Sequence, residues 1–268
     1  MKMKFTFIIA LALSITTTFT HCKKDGTNPI QLNLFTIEDD KTLGAQVNDE
    51  IMSNPSLFPI LSETQYPTAY AHLRRITNEI LNKAEMKHRN DFLWQTKIIQ
   101  NDTVLNAFCT PGGYIYVYTG LIKFLESEDQ LAGVMGHEIA HADERHSTEA
   151  MTNAMGRDLL IKLILGDSSV AADVTAGLLD LKYSRGSENE ADLKSVDYLN
   201  KTELDARGAA RFFEKMIAVG QTGSLEFLST HPNPENRVEN ITKRWEELGS
   251  KVGGTFPDRY AQFKQALP

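Results

Sequence analysis

Two cysteines in 268 residues set the first limit. Cys22 and Cys109 cannot build a disulfide framework, and they are too few for a zinc site made of thiolates. Any metal must therefore be held by histidine and carboxylate. A basic excess is also missing. The chain has 28 Lys and Arg against 35 Asp and Glu, a net charge of −7, whereas phosphate-binding proteins normally carry surplus positive charge. No nucleic-acid partner is expected. Beyond the N-terminus there is no long apolar run. The nearest, Leu159 to Leu165, is interrupted by Lys162 and falls well short of the roughly 20 residues of a membrane helix.

What is present is the composition of a globular protein, 41% hydrophobic and 24% charged, on a chain long enough for one good-sized domain or two small ones. The N-terminus is different. Met1-Lys2-Met3-Lys4 is basic, and Phe5 to Phe19 is apolar with Ser and Thr mixed in. This is the layout of a secretory signal. The run ends at Thr20-His21-Cys22. A Cys placed there resembles a bacterial lipoprotein signal, in which Cys22 carries the lipid, although His21 stands where that pattern prefers a small residue. The expected order is a signal peptide over 1–21, a polar tether over 22–35, a folded domain over 36–249 and a weakly patterned tail over 250–268. The protein is expected to be exported to the periplasm or outer membrane, with a membrane anchor at Cys22.

Apolar periodicity predicts helices over 36–51 and 68–86. Leu93 to Gln100 and Val104 to Phe108 read as strands, Pro111-Gly112-Gly113 as a turn, and Tyr114 to Thr119 as a third strand. In that strand Tyr114, Tyr116 and Tyr118 share one face, expected to be half-buried, and Ile115 and Val117 the other. Cys109 reads as a small buried thiol. Ser127 to Gln130 has the form of a capping box that opens a helix, and Ser187 to Glu190 has the form of a second. Further helices are expected over 147–165, 169–183, 205–219 and 235–248. A small sheet followed by many helices gives an α+β fold, mostly helical, with the sheet beside the helix that starts near Ser127.

That helix contains His137-Glu138-Ile139-Ala140-His141. Residues four apart share a helix face, so the two imidazoles can bind one zinc. Glu138 is then placed to act as general base on a water held by the metal. A catalytic zinc needs a third protein ligand. A metzincin would have Gly at 144 and His at 147; this chain has Glu144 and Ser147. His146, five residues past His141, points away from the metal face and is assigned a supporting role. Glu188 and Asp192 lie four apart on a later helix. One carboxylate can bind zinc while the other accepts a hydrogen bond from a ligand imidazole. Glu188 is preferred as ligand. Glu190 remains the alternative, although it faces elsewhere and has a ready role in its capping box.

Taken in order, Asn106-Ala107-Phe108, Pro111-Gly112-Gly113, Thr119-Gly120-Leu121, His137 to His141 with Arg145-His146-Ser147, Ser184-Arg185, Glu188 to Asp192 and Ser229-Thr230-His231-Pro232 resemble peptidase family forty-eight of the metallo class. That family includes HtpX-type and CaaX-prenyl-processing endopeptidases, and the likeness is nearest to its periplasmic or lipoprotein members without membrane spans. It covers about residues 40 to 245. It implies a gluzincin fold and one zinc per chain held by His137, His141 and Glu188, with Asp192 orienting an imidazole. The implied activity is endopeptidase cleavage in protein quality control, on polypeptide substrates such as unfolded or misassembled envelope proteins. Asn106, Ala107 and Phe108 become an edge strand that pairs with substrate backbone. His231 has two implied roles near the metal: donating a hydrogen bond to the oxyanion, or occupying the open metal position and holding the enzyme latent. Arg237 is expected to pair with a carboxylate near the site. Asp143 and Glu144 are more acidic than that family's pattern, which is expected to alter surface detail only. The rival reading is a latent or non-catalytic zinc-dependent binder or chaperone of envelope proteins.

Overall fold

The computed structural model describes residues 32–154, 162, 171–220, 227, 229, 231 and 236–268. The expected signal segment, most of the tether and Cys22 lie outside the described residues. Helix α1 (Ile37–Ser53) starts where Thr36 and Asp39 exchange side-chain and backbone bonds in a capping box, and stops at Asn54, before Pro55. Helix α2 (Pro67–Lys83) has proline in its first turn, where the missing N–H costs nothing.

A three-stranded sheet follows. Strand β1 is Gln95–Ile99, β2 is Ala107–Thr110 and β3 is Tyr114–Tyr118, in the order β1-β3-β2. β1 runs parallel to β3, and β2 antiparallel to it. The second strand begins later than the expected Val104, because Asn101 turns the chain by binding Thr103 through its side chain. Asn106 sits immediately before β2, and its carbonyl accepts from the Tyr118 N–H.

The tyrosine face of β3 is more deeply buried than expected. Ile115 and Val117 pack into the main core, while Tyr114 and Tyr116 join Leu43, Val47 and Ile51 of α1 in a second cluster. Tyr116 is fully buried, and its hydroxyl donates to Asn48. The tyrosine stripe is thus covered by a helix remote in sequence, which periodicity alone does not reveal.

The rest is helical: α3 (Thr119–Phe124), α4 (Glu128–Asp143), α5 (His146–Ala154), α6 (Ala171–Leu179), α7 (Arg185–Asn200), α8 (Gly208–Ala218), α9 (Arg237–Glu247) and α10 (Pro257–Gln265). The architecture is the expected α+β zincin-like one, mostly helical with a small sheet. Parts of the helices expected over 147–165 and 169–183 lie outside the described residues, and α6 ends at Leu179, short of Tyr183. α4 is buried at all 16 of its positions. It crosses α8 backbone against backbone: a Cβ on Gly133 would lie 2.0 Å from the Ala209 nitrogen, so only glycine fits there.

Three local readings are corrected. Ser127 precedes α4 but makes no side-chain cap; Gln130 instead accepts from the Glu126 N–H. The later helix begins three residues before the expected box, with Ser184 as N-cap accepting from the Ser187 N–H. The stretch after Gly249, expected to be weakly patterned, carries α10, whose Tyr260 and Phe263 are fully buried in the main core.

Candidate metal centre

α4 and α7 pack together, and this brings the expected ligands into one place. His137 and His141 project from one face of α4 with their Nε2 atoms 3.0 Å apart. Glu188, in the first turn of α7, reaches both. Its Oε2 is 3.5 Å from His137 Nε2 and its Oε1 is 3.5 Å from His141 Nε2. His231 completes the group, with Nδ1 3.3 Å from His137 Nε2 and 3.0 Å from Glu188 Oε1. All four side chains are buried, and their donor atoms lie within 4.8 Å of one another.

Zinc's chemistry allows a check. Ligands about 2.05 Å from a tetrahedral ion sit roughly 3.3 Å from each other. Five separations, taken to either Glu188 oxygen, run from 3.0 to 3.5 Å, and the whole group falls within 4.8 Å. Three imidazole nitrogens and one carboxylate oxygen are also a donor set that suits zinc. Glu188 Oε2 is buried, 3.5 Å from His137 Nε2 and 3.4 Å from Arg237 Nη1, so the carboxylate is held ionised and turned toward the cluster. The residues present fit the ion.

The electrostatics agree. Burial works against charge on His137, but the Asp192 and Glu188 carboxylates outweigh it and raise its pKa to about 9. Burial and the neighbouring charge of His137 push His141 well below the ordinary histidine value. Burial alone would raise Glu188, yet the surrounding histidines, His231 foremost, hold it far below the usual carboxylate range. The pocket thus holds a carboxylate that stays ionised beside imidazoles whose nitrogens point at a common centre.

Around this group lies a supporting layer. Asp192 Oδ1 is 2.9 Å from His137 Nδ1, the contact that fixes a ligand imidazole in its metal-facing orientation. Arg237 grips Asp192 from behind, Nε to Oδ2 at 2.7 Å and Nη2 to Oδ1 at 2.5 Å, and its guanidinium lies 4.1 Å from the Phe213 ring centroid. This is the carboxylate pairing expected of Arg237. On the other side, His146 Nδ1 is 3.0 Å from His141 Nδ1. His146 is therefore turned away from the metal position, as its spacing implied, and backs His141. Glu190 does not join the metal group. Its Oε2 lies 3.6 Å from His146 Nε2, which replaces the expected capping role.

Glu138 is fully buried, with Cys109 of β2 beside its carboxylate. Burial raises its pKa despite the nearby His231 and His137. His231 Nε2 stands 3.5 Å from its Oε1. Ala107 and Phe108 lie in β2, an outer strand that packs against α4, and Asn106 immediately precedes it.

Two features escaped the sequence. Tyr183 stacks on His141 with ring centroids 4.0 Å apart and shares a 2.8 Å hydroxyl contact with Ser147; nothing in its local pattern marks it. Asp143, expected to affect only the surface, is fully buried. It accepts from the Lys87 and His88 backbone N–H groups and from the Tyr198 hydroxyl, tying the end of α4 to the chain beyond α2. Glu144 pairs with Lys87 and Lys194.

Residues 67–245 match the family model described as Peptidase family M48. The chain is 28% identical over 222 residues to the mitochondrial metalloendopeptidase OMA1 of Schizosaccharomyces pombe, covering 80% of this chain and 63% of the relative. To the protein of the same name from Arabidopsis thaliana it is 33% identical over 164 residues, 60% of this chain and 33% of the relative. To the beta-barrel assembly-enhancing protease of Escherichia coli it is 29% identical over 180 residues, 61% of this chain and 37% of the relative. The chain spans between a third and just under two thirds of these relatives' lengths.

Proposed function

Because the chain belongs to peptidase family M48, a metallopeptidase family, we propose that it is a zinc-dependent endopeptidase acting on unfolded or misassembled cell-envelope proteins, with Glu138 as general base. The observation that carries this reading is Glu138 itself. A fully buried carboxylate beside a four-donor cluster is costly to the fold and has no use in a purely structural metal site. It has one in hydrolysis.

His137, His141 and Glu188 would hold the ion, with Asp192 and His146 orienting the two imidazoles. Zinc, when bound there, supplies Lewis-acid polarisation and makes water acidic near neutral pH. Glu138 accepts a proton from the attacking water and delivers it to the leaving amine. Its raised pKa brings it closer to the working pH, which favours both transfers. The outer edge of β2 takes the substrate backbone by strand addition. The name of the Escherichia coli relative supports envelope proteins as the substrate class. We place the protein in the periplasm or at the outer membrane, anchored through Cys22. Among the described residues no helix is long and apolar enough to cross a membrane.

The test is cleavage of casein by the purified full chain, with zinc content measured, beside Glu138→Gln. About one zinc per chain in both proteins is expected, with hydrolysis reduced roughly 10²- to 10⁴-fold in the variant. Cleavage by the variant at the wild-type rate would remove Glu138 from the role of base.

A second reading rests on His231. Four protein donors close a zinc site, and His231 Nδ1 stands at ligand-like distances from His137 and Glu188. In this reading the enzyme is latent until His231 moves aside, after which its N–H serves the carbonyl oxygen under attack. Zinc without cleavage in wild type and cleavage in His231→Ala would favour latency. Zinc without cleavage in both would favour a non-catalytic binder.

A further inference from the structure

A cavity of about 260 Å³ opens beside His231 where three distant segments meet. Leu57 and Phe58 come from the turn after α1, Phe108 from β2, and Leu178 and Leu181 from the end of α6 and the link to α7. Leu57 is 70% exposed, an unusual state for a large apolar side chain at the mouth of a cavity. Asn106 reaches in from the start of β2. It is 5% exposed, and its Oδ1 is buried without a hydrogen-bond partner among the described residues. Asp180 is exposed on the rim.

We infer that this cavity is the specificity subsite of the peptidase site and takes one large apolar side chain, leucine, methionine or an aromatic, from an extended peptide lying along β2. The inference rests on the peptidase reading given above and names its substrate class.

Four observations carry it. First, no strand among the described residues pairs with the outer edge of β2. A peptide added there would project alternate side chains to one face, beside the cavity. Second, size limits the occupant: 260 Å³ admits any large side chain, whereas alanine would leave most of it empty, and the Leu57, Phe58, Phe108, Leu178 and Leu181 surfaces favour an apolar one. Third, the Asn106 amide offers an unmatched polar atom at the wall, placed for a peptide group rather than for an apolar side chain. Fourth, Asp180 puts a negative charge at the rim, which repels an acidic side chain. Leu57 and Phe58 lie outside the residues matched by the family model.

The test uses blocked peptides of one scaffold, each carrying a single Leu, Phe, Ala or Glu moved through the positions around the cleavable bond. Binding to full-length, zinc-loaded Glu138→Gln is read by fluorescence anisotropy, and hydrolysis by wild type in parallel. At one position, Leu and Phe peptides should bind at least about tenfold more tightly than Ala, with Glu weakest. Leu57→Ser, at an exposed position, should lower that ratio, as should Leu178→Ser. Both are made in the Glu138→Gln background and checked for folding by circular dichroism. Equal or undetectable binding of all four residues at every position overturns the inference. So does a ratio unchanged in both serine variants. Selective binding without hydrolysis would leave the subsite standing and rule out a constitutively active peptidase. Hydrolysis without selectivity would do the reverse.

Discussion

Replacing Arg237 by methionine tests whether the support behind the metal position is a true buried ion pair. Arg237 and Asp192 have side chains 2% and 1% exposed, so solvent screens their attraction very little. Methionine keeps much of the packing against Phe213 but leaves Asp192 with His137 as its remaining partner. Breaking one side of such a pair costs about 3–5 kcal/mol, because a charge stays buried without compensation. For a domain of this size that is a fall in Tm of roughly 6–20 °C. The assay is urea unfolding of metal-free protein at pH 7. Adding Asp192→Asn to Arg237→Met should recover part of the loss, since the Asp192 carboxylate is then gone while Glu188, which also faces Arg237, keeps only its histidines. The pH dependence has a definite sign. Burial opposes ionisation of Asp192, but Arg237 holds its pKa below the ordinary value. The pair's contribution is therefore full above the usual Asp range and disappears as pH falls through the depressed folded value. The gap between wild type and Arg237→Met should narrow on acidification. A single-variant cost under about 1 kcal/mol, or a double variant as unstable as the single, would refute this account.

Other outcomes follow from the same geometry. His137 keeps its proton up to a pKa of about 9 in metal-free protein, and zinc must displace that proton. Zinc affinity should therefore rise about tenfold per pH unit from 7 to 9 and level off above; a flat profile in metal-buffered titrations would contradict the charged imidazole. His146→Ala removes the contact to His141 Nδ1 and should weaken zinc retention against a chelator by about 10- to 100-fold, with equal retention showing the contact to be incidental. Phe263→Ala should cost about 3–5 kcal/mol in urea unfolding, because the ring is fully buried in the main core; a loss under about 1 kcal/mol would show that α10 does not belong to that core.

The parts of the site that sequence reveals are those set by one helix at a time. His137 and His141, or Glu188 and Asp192, share a face because four residues make about one turn, and the structure places both pairs as that spacing requires. What sequence conceals depends on a second segment. Asp143 is buried because Lys87, His88 and Tyr198 converge on it. Tyr116 is covered by α1 from well upstream. Ser184 and Ser187 both stand where an N-cap is plausible, and local pattern favours the wrong one; the chain chooses Ser184. In α10, Tyr260 and Phe263 do have helical spacing, but the glycines and proline before them hide it. The cavity beside β2 draws on three segments, so no window of sequence could contain it.

Burial of α4 along its whole length bears on motion. A helix with no exposed turn has no fraying end, so its amide hydrogens should exchange with solvent only when the whole domain opens. The residues around Leu57 and the end of α6 are exposed or half-buried and should exchange through small local openings. Glu138 therefore rides on the least compliant element of the protein. On the proposed reading, adjustment to peptides of different bulk should fall to the walls of the cleft, while Glu138 keeps its place relative to His137 and His141 on the same helix.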